Sequence, residues 1–185
     1  MILGKLVGLR LVEEEDLPLL ALWRNDPQTR QMLLVTDLIS VSGQKAWYEE
    51  LCRDPTRMQF MIVRLTDKAA VGTIGLKNID YRNQSAEGGG GFVAPEHRRQ
   101  ELFLDAFRTM LRYAFLDLNL HRFYGVIFAH NEASLGAAAR LAAEIGGKQE
   151  GIARKAAFVN GEFHDLILYG ILREEWREAE HRAGE

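Results

Sequence analysis

The sequence predicts an α+β fold, an α/β layered domain in which helices flank a mixed β-sheet. Strand-like segments and amphipathic helices alternate irregularly, in the predicted order β-α-α-β-β-β-α-β-α-β-β. Two late helices act as crossovers between strands, so a regular doubly wound sheet does not fit. The length of 185 residues suits one domain. We expect this domain to cover residues 1–176 and to be followed by a charged tail over residues 177–185.

The strands are predicted from composition and from turn signals between them. Aliphatic, β-branched and aromatic residues cluster in seven segments: residues 6–12, 59–65, 70–79, 85–93, 123–129, 149–159 and 163–172. The segment over residues 85–93 is unusual because four glycines follow one another at residues 88–91. The last two segments flank Asn160-Gly161, which is typical of a hairpin turn.

The helices are predicted from apolar side chains that recur at i, i+3 and i+4. The longest is expected over residues 99–117, and an Ala-rich helix over residues 132–145. A helix over residues 16–25 follows an acidic run, which suits its positive N-terminal end, and stops at an Asp-Pro pair. A further helix is expected to begin after its cap, Ser42, and to end at a second Asp-Pro pair.

The composition argues against several functional classes. Hydrophobic residues make up 47% and charged residues 26%, as in an ordinary globular protein. The net charge of −3 offers no basic field, so we expect no nucleic-acid partner. No apolar run approaches the roughly 20 residues of a membrane span, and we expect neither a membrane partner nor a signal peptide. Cys52 is the single cysteine, which favours a cytoplasmic location, and no metal-ligand spacing occurs.

Several short strings follow one another along the chain. They are Trp23-Arg24-Asn25, Val71-Gly72-Thr73-Ile74-Gly75, Tyr113-Ala114-Phe115, Leu118-Asn119-Leu120, Asn131-x-x-Ser134, Glu150-Gly151, Asp165 and Glu175-Trp176. In order and spacing they resemble the GNAT superfamily of N-acetyltransferases, nearest the branch of ribosomal-protein N-terminal acetyltransferases and amino-sugar N-acetyltransferases. The resemblance implies a splayed sheet, acetyl-CoA as co-substrate and a primary amine as acceptor.

The resemblance also implies where the acyl donor lies. Phe92 and Val93 occupy the positions at which the family pairs the cofactor with strand backbone, directly after the glycines at residues 88–91. Asn131 matches the residue that meets the pantetheine arm, although a helix N-cap is an alternative role for it. The glycines themselves fit either close approach of a ligand or an irregular edge.

The loop before the longest helix departs from the family pattern. The family has Arg/Gln-x-x-Gly-x-Gly/Ala there, and its glycines bring phosphate oxygens to backbone amides. This chain has Arg98-Arg99-Gln100-Glu101-Leu102-Phe103. Glu101 and Phe103 replace the two small residues, so we expect a degenerate pyrophosphate loop. Arg98 and Arg99 still offer charge-assisted hydrogen bonds to a phosphate.

Acetyl transfer to an amine needs a base, because an alkyl ammonium has a pKa near about 10. Glu87 could act through a water molecule, and His130 could titrate near neutrality. A surface glutamate and a structural histidine are the alternatives. Ser134 is implied to lie near the sulfur as a weak acid or thiol-orienting group, and its alternative is a place in a first helical turn.

A region near the N-terminus matches the part of the family that faces the acceptor. Its residues are Trp23, Arg24, Asn25 and Met32. A core role for Trp23 and a surface role for Arg24 are the alternatives. The acceptor could be a protein N-terminus, an amino sugar or a small metabolite, and a homodimer is expected by family analogy. Two other functions stay open: an inactive GNAT-fold binding protein, and an acyltransferase that uses a donor other than CoA.

Overall fold

The computed structural model describes residues 1–30, 33, 37–98, 100–128, 142, 144–159 and 161–177. It contains two compact units. The first comprises Met1–Ile79 and Gly88–Tyr113, and the second comprises Asp80–Glu87 and Ala114–Glu185. Among the described helices, none is long and apolar enough to cross a membrane.

The first unit contains an antiparallel sheet and four helices. Its elements are β1 (Ile2–Leu3), β2 (Val7–Leu11), α1 (Leu17–Asn25), α2 (Pro27–Arg30), α3 (Val41–Arg53), β3 (Met58–Arg64), β4 (Ala70–Asp80), the second part of β5 (Ser85–Val93) and α4 (Gln100–Arg112). Strands β1 to β4 pair antiparallel in chain order, and β5 lies beside β4. The predicted hairpin is therefore β3–β4, and β5 has the predicted bounds.

The core of this unit lies on both faces of the sheet. In β3 the residues 60–63 are all buried and apolar, so buried and exposed side chains do not alternate along this part of the strand. One cluster on this sheet joins α1 to β3 and β5. Its buried members are Val12, Leu17, Leu20, Trp23, Met61, Val63, Phe92 and Ala94.

The prediction that Ser42 caps the second helix is wrong, because Ser40 is the cap. Ser40 has an extended backbone, and its Oγ accepts a hydrogen bond from the N–H of Gly43 at 3.0 Å. Ser42 lies inside the first turn, where its own backbone is already helical. A serine two residues earlier can reach the free amide, and the sequence offers both.

Two further boundaries differ from the prediction. The Asp-Pro pair that ends α1 also begins α2: Asp26 is extended, and its carboxylate accepts from the N–H of Thr29 at 2.9 Å. Proline suits the first position of a helix, so one dipeptide both ends and begins a helix. The predicted long helix is α-helical over Gln100–Arg112 and becomes a π-helical turn over Tyr113–Asp117.

The second unit contains the first part of β5 and three further strands. They are β6 (Arg122–Phe128), β7 (Lys148–Val159) and β8 (Glu162–Leu172). β6 pairs in parallel with β5 over three residues, from Ser85 to Glu87, although both strands continue further. β8 lies between β6 and β7 and is antiparallel to both. Gly161 adopts a φ of +86° in the predicted hairpin turn, whereas its neighbour Asn160 lies outside the described residues.

The eight strands follow the order β1-β2-β3-β4-β5-β6-β8-β7. The parallel β5–β6 pair makes the sheet mixed, which confirms the predicted fold class. Of the predicted helix over residues 132–145, the structure describes only Ala142, Glu144 and Ile145, and the first two are helical.

Candidate functional site

The end of β5 is held tightly against β4. Phe92 and Val93 are buried, and the N–H of Ala94 donates to the carbonyl of Val71 at 2.8 Å. A Cβ built at Gly72 would overlap the carbonyl oxygen of Phe92, so only glycine allows the two strands to approach this closely. The backbone at Phe92 and Val93, where the family resemblance implies the acyl donor, is therefore fixed by packing.

The glycine run before Phe92 is an ordered part of the strand. Gly90 has a φ of +58°, in the left-handed region that favours glycine. The side-chain amide of Gln59 donates to Thr73 Oγ1 at 2.6 Å and to the carbonyl of Gly90 at 3.4 Å. Thr73 is buried and donates in turn to the carbonyl of Phe60 at 2.9 Å. These contacts hold the run within the sheet, which argues against a loose turn there.

The aromatic residue of the departing loop packs against this run. Two ring atoms of Phe103 lie 3.3 Å from the point that a Cβ at Gly91 would occupy. The Phe103 ring also contacts the ring of Phe107, with centroids 6.2 Å apart. The side chain that replaces a small residue of the family pattern is thus accommodated by a glycine on the neighbouring strand.

The other residues of the loop differ in exposure. Leu102 is buried, Glu101 is exposed in the first turn of α4, and Arg98 is exposed. Arg98 donates from Nη1 to Gln28 Oε1 at 3.0 Å. Arg99 and the side chain of Gln100 lie outside the described residues. The Glu101 carboxylate therefore lies at the surface, where solvent screens its charge.

Trp23 joins α1 to the end of β5. Its side chain is 3% exposed, and its ring meets that of Phe92 edge to face, with centroids 6.3 Å apart. Its indole N–H donates to Glu96 Oε1 at 3.0 Å. Trp23 is thus a core residue, the alternative that the sequence left open. The Trp23–Glu96 and Gln28–Arg98 hydrogen bonds together fasten the α1–α2 corner to the segment before α4.

Asn25 closes the loop that leads into α3. Its side-chain Nδ2 donates to the carbonyl of Ile39 at 2.7 Å, and its Oδ1 accepts from the N–H of Ile39 at 2.9 Å. Both ends of the amide are therefore used by one backbone residue. Met32, the other residue predicted to face the acceptor from this region, lies outside the described residues.

Arg24 is half-buried beside a buried amide. Its Nη1 donates to Gln44 Oε1 in a long hydrogen bond of 3.4 Å. Burial lowers the pKa of the Arg24 guanidinium from its ordinary value. Gln44 is 0% exposed, and in the described part of the protein its Nε2 has no hydrogen-bond partner. The hydrogen-bonding capacity of the Arg24–Gln44 pair is therefore only partly used.

Three residues in these contacts were missed by sequence reasoning: Gln28, Gln44 and Glu96. For Gln44 a signal existed, because Gln44, Trp47, Tyr48 and Leu51 share the i, i+3, i+4, i+7 spacing of one helix face. A glutamine on an otherwise apolar face marks a buried polar group. Gln28 and Glu96 carry no such local signal.

The predicted acid–base residues are described only in part. Glu87 is half-buried at the end of the parallel β5–β6 register, opposite Tyr124. His130, Asn131 and Ser134 lie outside the described residues. Within the part of the chain that the structure describes, no three histidine, cysteine or acidic side chains form a group that could hold a metal ion.

Comparisons with known proteins point in one direction. A family model described as an acetyltransferase (GNAT) domain matches residues 7–144. The chain is 37% identical over 112 residues to the putative ribosomal N-acetyltransferase YdaF of Bacillus subtilis (strain 168). This match covers 60% of this chain and 58% of that protein. It is 28% identical over 179 residues to the probable N-acetyltransferase YjcK of the same organism, covering 93% of this chain and 97% of that protein.

A solved structure supports the architecture. The crystal structure of spermidine N-acetyltransferase from Vibrio cholerae in complex with CoA and spermine matches with a TM-score of 0.85 and 24% sequence identity. The match covers 94% of this chain and 99% of that one. At this identity the likeness is evidence for the fold, and it agrees with the fold predicted from the sequence.

Proposed function

The chain belongs to the acetyltransferase (GNAT) domain family, and from that premise we propose that it transfers the acetyl group of acetyl-CoA to a primary amine. The observation that carries the proposal is the family match over residues 7–144. The names of YdaF and YjcK, and the CoA in the Vibrio cholerae structure, support it. In the proposed reaction the amine nitrogen bonds to the acetyl carbon, the carbon–sulfur bond breaks, and the amine proton passes to a base.

For the acyl donor, we propose that it runs along the backbone of Phe92 and Val93. The fixed position of this backbone against β4 supports the proposal, because a preorganised strand need not be ordered by the ligand. The pyrophosphate would meet the N-terminal amides of α4 together with Arg98 and Arg99. Gln100 and Leu102 would contribute backbone groups to the same cradle.

The departures in the pyrophosphate loop are proposed to weaken this cradle without closing it. Glu101 is exposed in the first helical turn, so its charge opposes the phosphates at long range and in water. Phe103 packs on Gly91, and its ring therefore has a place of its own beside the strand.

The acid–base roles are proposed from the sequence. Glu87 would accept the amine proton through water, with His130 as the second candidate. Ser134 would orient or protonate the leaving thiolate, and Asn131 would bind the pantetheine arm. On the acceptor side, Trp23 and Asn25 would act as positioning residues, since their polar groups bind Glu96 and Ile39 within the protein.

The test is a calorimetric titration of the full chain with acetyl-CoA and, separately, with CoA. We expect a dissociation constant in the micromolar range, which corresponds to a binding free energy of about −8 kcal/mol. An absence of binding at millimolar concentration would end the proposal, because the donor would then have no site.

The same titration tests the loop. Glu101→Gly should tighten CoA binding a few-fold, since an interaction between two exposed charges, here the repulsion between the carboxylate and the phosphates, is worth about 0.2–1 kcal/mol. Glu101→Gln is the matched control that removes the charge and keeps the size. An affinity unchanged in both variants would mean that the carboxylate lies far from the phosphates.

One observation favours a second candidate function. Glu101 and Phe103 stand where the family pattern has two small residues, so the loop lacks the glycines that would bring phosphate oxygens to backbone amides. A donor without a nucleotide, such as a carrier-protein thioester, would not need the pyrophosphate cradle. Binding of such a thioester together with no binding of CoA would favour this second function over the first.

A further inference from the structure

Arg24 is a cation without a carboxylate partner among the described residues. Its polar contact is the neutral amide of Gln44, at 3.4 Å. A half-buried guanidinium that lacks a counter-ion costs stability. Its presence at this position therefore calls for a functional explanation.

Gln44 orients the Arg24 guanidinium from a buried position. Its Oε1 accepts from Arg24 Nη1 at 3.4 Å, and Gln44 itself is 0% exposed. A ligand from solution therefore cannot reach the Gln44 amide, whereas Arg24 is only half-buried. The remaining N–H donors of the guanidinium are the ones that a ligand would meet, and an oxyanion is their complement.

The pair is close to the proposed acceptor side of the site. Arg24 follows Trp23 in α1, and Trp23 packs on Phe92 and binds Glu96. Arg24 therefore lies on the helix that packs against the end of β5, the strand along which the donor is proposed to run.

We propose that Arg24, oriented by Gln44, selects an acceptor that carries an oxyanion, a carboxylate or a phosphate, near the amine that is acetylated. The proposal rests on the proposed acetyl transfer and names the acceptor class for the same site. A polyamine such as spermidine carries only ammonium groups, and like charge at Arg24 disfavours it. This chain thus differs in acceptor from the relatives named as spermidine acetyltransferases.

The experiment compares matched amines in a CoA-release assay with the full chain and acetyl-CoA. The pairs are glucosamine 6-phosphate with glucosamine, and β-alanine with β-alaninamide; spermidine is the fifth probe. We expect kcat/KM for at least one oxyanionic probe to exceed that of its partner without the oxyanion by about tenfold or more. The pair that shows the preference distinguishes a phosphate from a carboxylate.

Variants at position 24 test whether Arg24 causes the preference for oxyanionic probes. Arg24→Gln should abolish it, and Arg24→Lys should keep part of it, because lysine retains the charge but loses the planar fork. Arg53→Gln removes an exposed cation from α3 and is the matched control that should leave the preference intact. Because no carboxylate pairs with Arg24 among the described residues, Arg24→Gln should not lower the thermal midpoint.

Three results would overturn the proposal: faster acetylation of spermidine than of every oxyanionic probe, no acetylation of any oxyanionic probe, or an unchanged preference in Arg24→Gln. A lower thermal midpoint with unchanged preference would assign Arg24 a structural role. Failure of the acetyl transfer itself is recognised separately, because the full chain would then not bind acetyl-CoA. Binding of acetyl-CoA with failure of all oxyanionic probes rejects the acceptor class alone.

Discussion

Asp16 is a carboxylate whose charge is held by the fold. It is 6% exposed and accepts from Arg10 Nη1 at 2.6 Å and from Arg10 Nη2 at 2.7 Å. It also accepts from the N–H of Glu13 at 2.9 Å. Burial alone would raise the pKa of Asp16, but the hydrogen bonds from Arg10 and Glu13 outweigh it, and the pKa lies below the usual 3.8. The acidic run thus forms the capping box of the short 3-10 helix Glu14–Asp16, which directly precedes α1.

The lowered pKa sets the sign of a pH dependence. A carboxyl whose pKa is lower in the folded state stabilises the fold above the unfolded value and loses this effect as the pH falls through the folded value. Asp16→Asn should therefore destabilise the protein by about 3 kcal/mol at neutral pH. In urea unfolding curves, the difference from wild type should narrow as the pH falls below about 5 and through the lowered pKa of Asp16.

The control for this prediction is an exposed ion pair. Arg64 and Asp67 lie three residues apart at the surface, and hydrogen bonds from Arg64 lower the pKa of Asp67 to about 2. Asp67→Asn should change the free energy of unfolding little, because solvent screens the pair. Equal effects of the two substitutions would contradict the importance of burial at Asp16.

The contact between β5 and α4 could not be predicted from the sequence. Gly91 and Phe103 were each recognised as unusual, one as a glycine in a strand and the other as a bulky residue in a phosphate loop. Their mutual contact explains both, since the missing side chain of one makes room for the ring of the other. Sequence periodicity places residues on faces, but it does not show which faces meet.

A double-mutant cycle tests this contact. Gly91→Ala should cost about 1 kcal/mol, because the new methyl group would lie 3.3 Å from two atoms of the Phe103 ring, which would have to shift. In a Phe103→Leu background the same substitution should cost less. Gly125→Ala is the control, since a Cβ there meets nothing within 4 Å. Additive effects of Gly91→Ala and Phe103→Leu would show that the two residues do not share space.

Other elements show what a local pattern can and cannot fix. The bounds of β5 were predicted as observed, because turn signals mark both of its ends. The start of α3 was misplaced by two residues, since Ser40 and Ser42 can both cap and only the backbone conformation at Ser40 decides between them. The short helix α2 was missed because its Asp-Pro start was interpreted solely as a stop.

For the whole molecule, the order of elements was enough to predict the fold class, and the family resemblance supplied the splayed sheet. The contacts at the candidate site between residues far apart in sequence could not be predicted. Trp23 and Glu96 are 73 positions apart, and Gln28 and Arg98 are 70 apart. Such pairs are joined by tertiary packing, and no local propensity records them. The sequence thus predicted candidate residues, and the structure gave the hydrogen bonds that hold them in place.

The central claim is that this chain transfers an acetyl group to an amine. The most direct measurement follows product formation by mass spectrometry and CoA release together, with acetyl-CoA and the five amine probes. We expect amine-dependent CoA release matched by an equal amount of acetylated amine, and a rate that rises with pH as the amine loses its proton. Binding of acetyl-CoA with no amine-dependent release for any probe would contradict the claim.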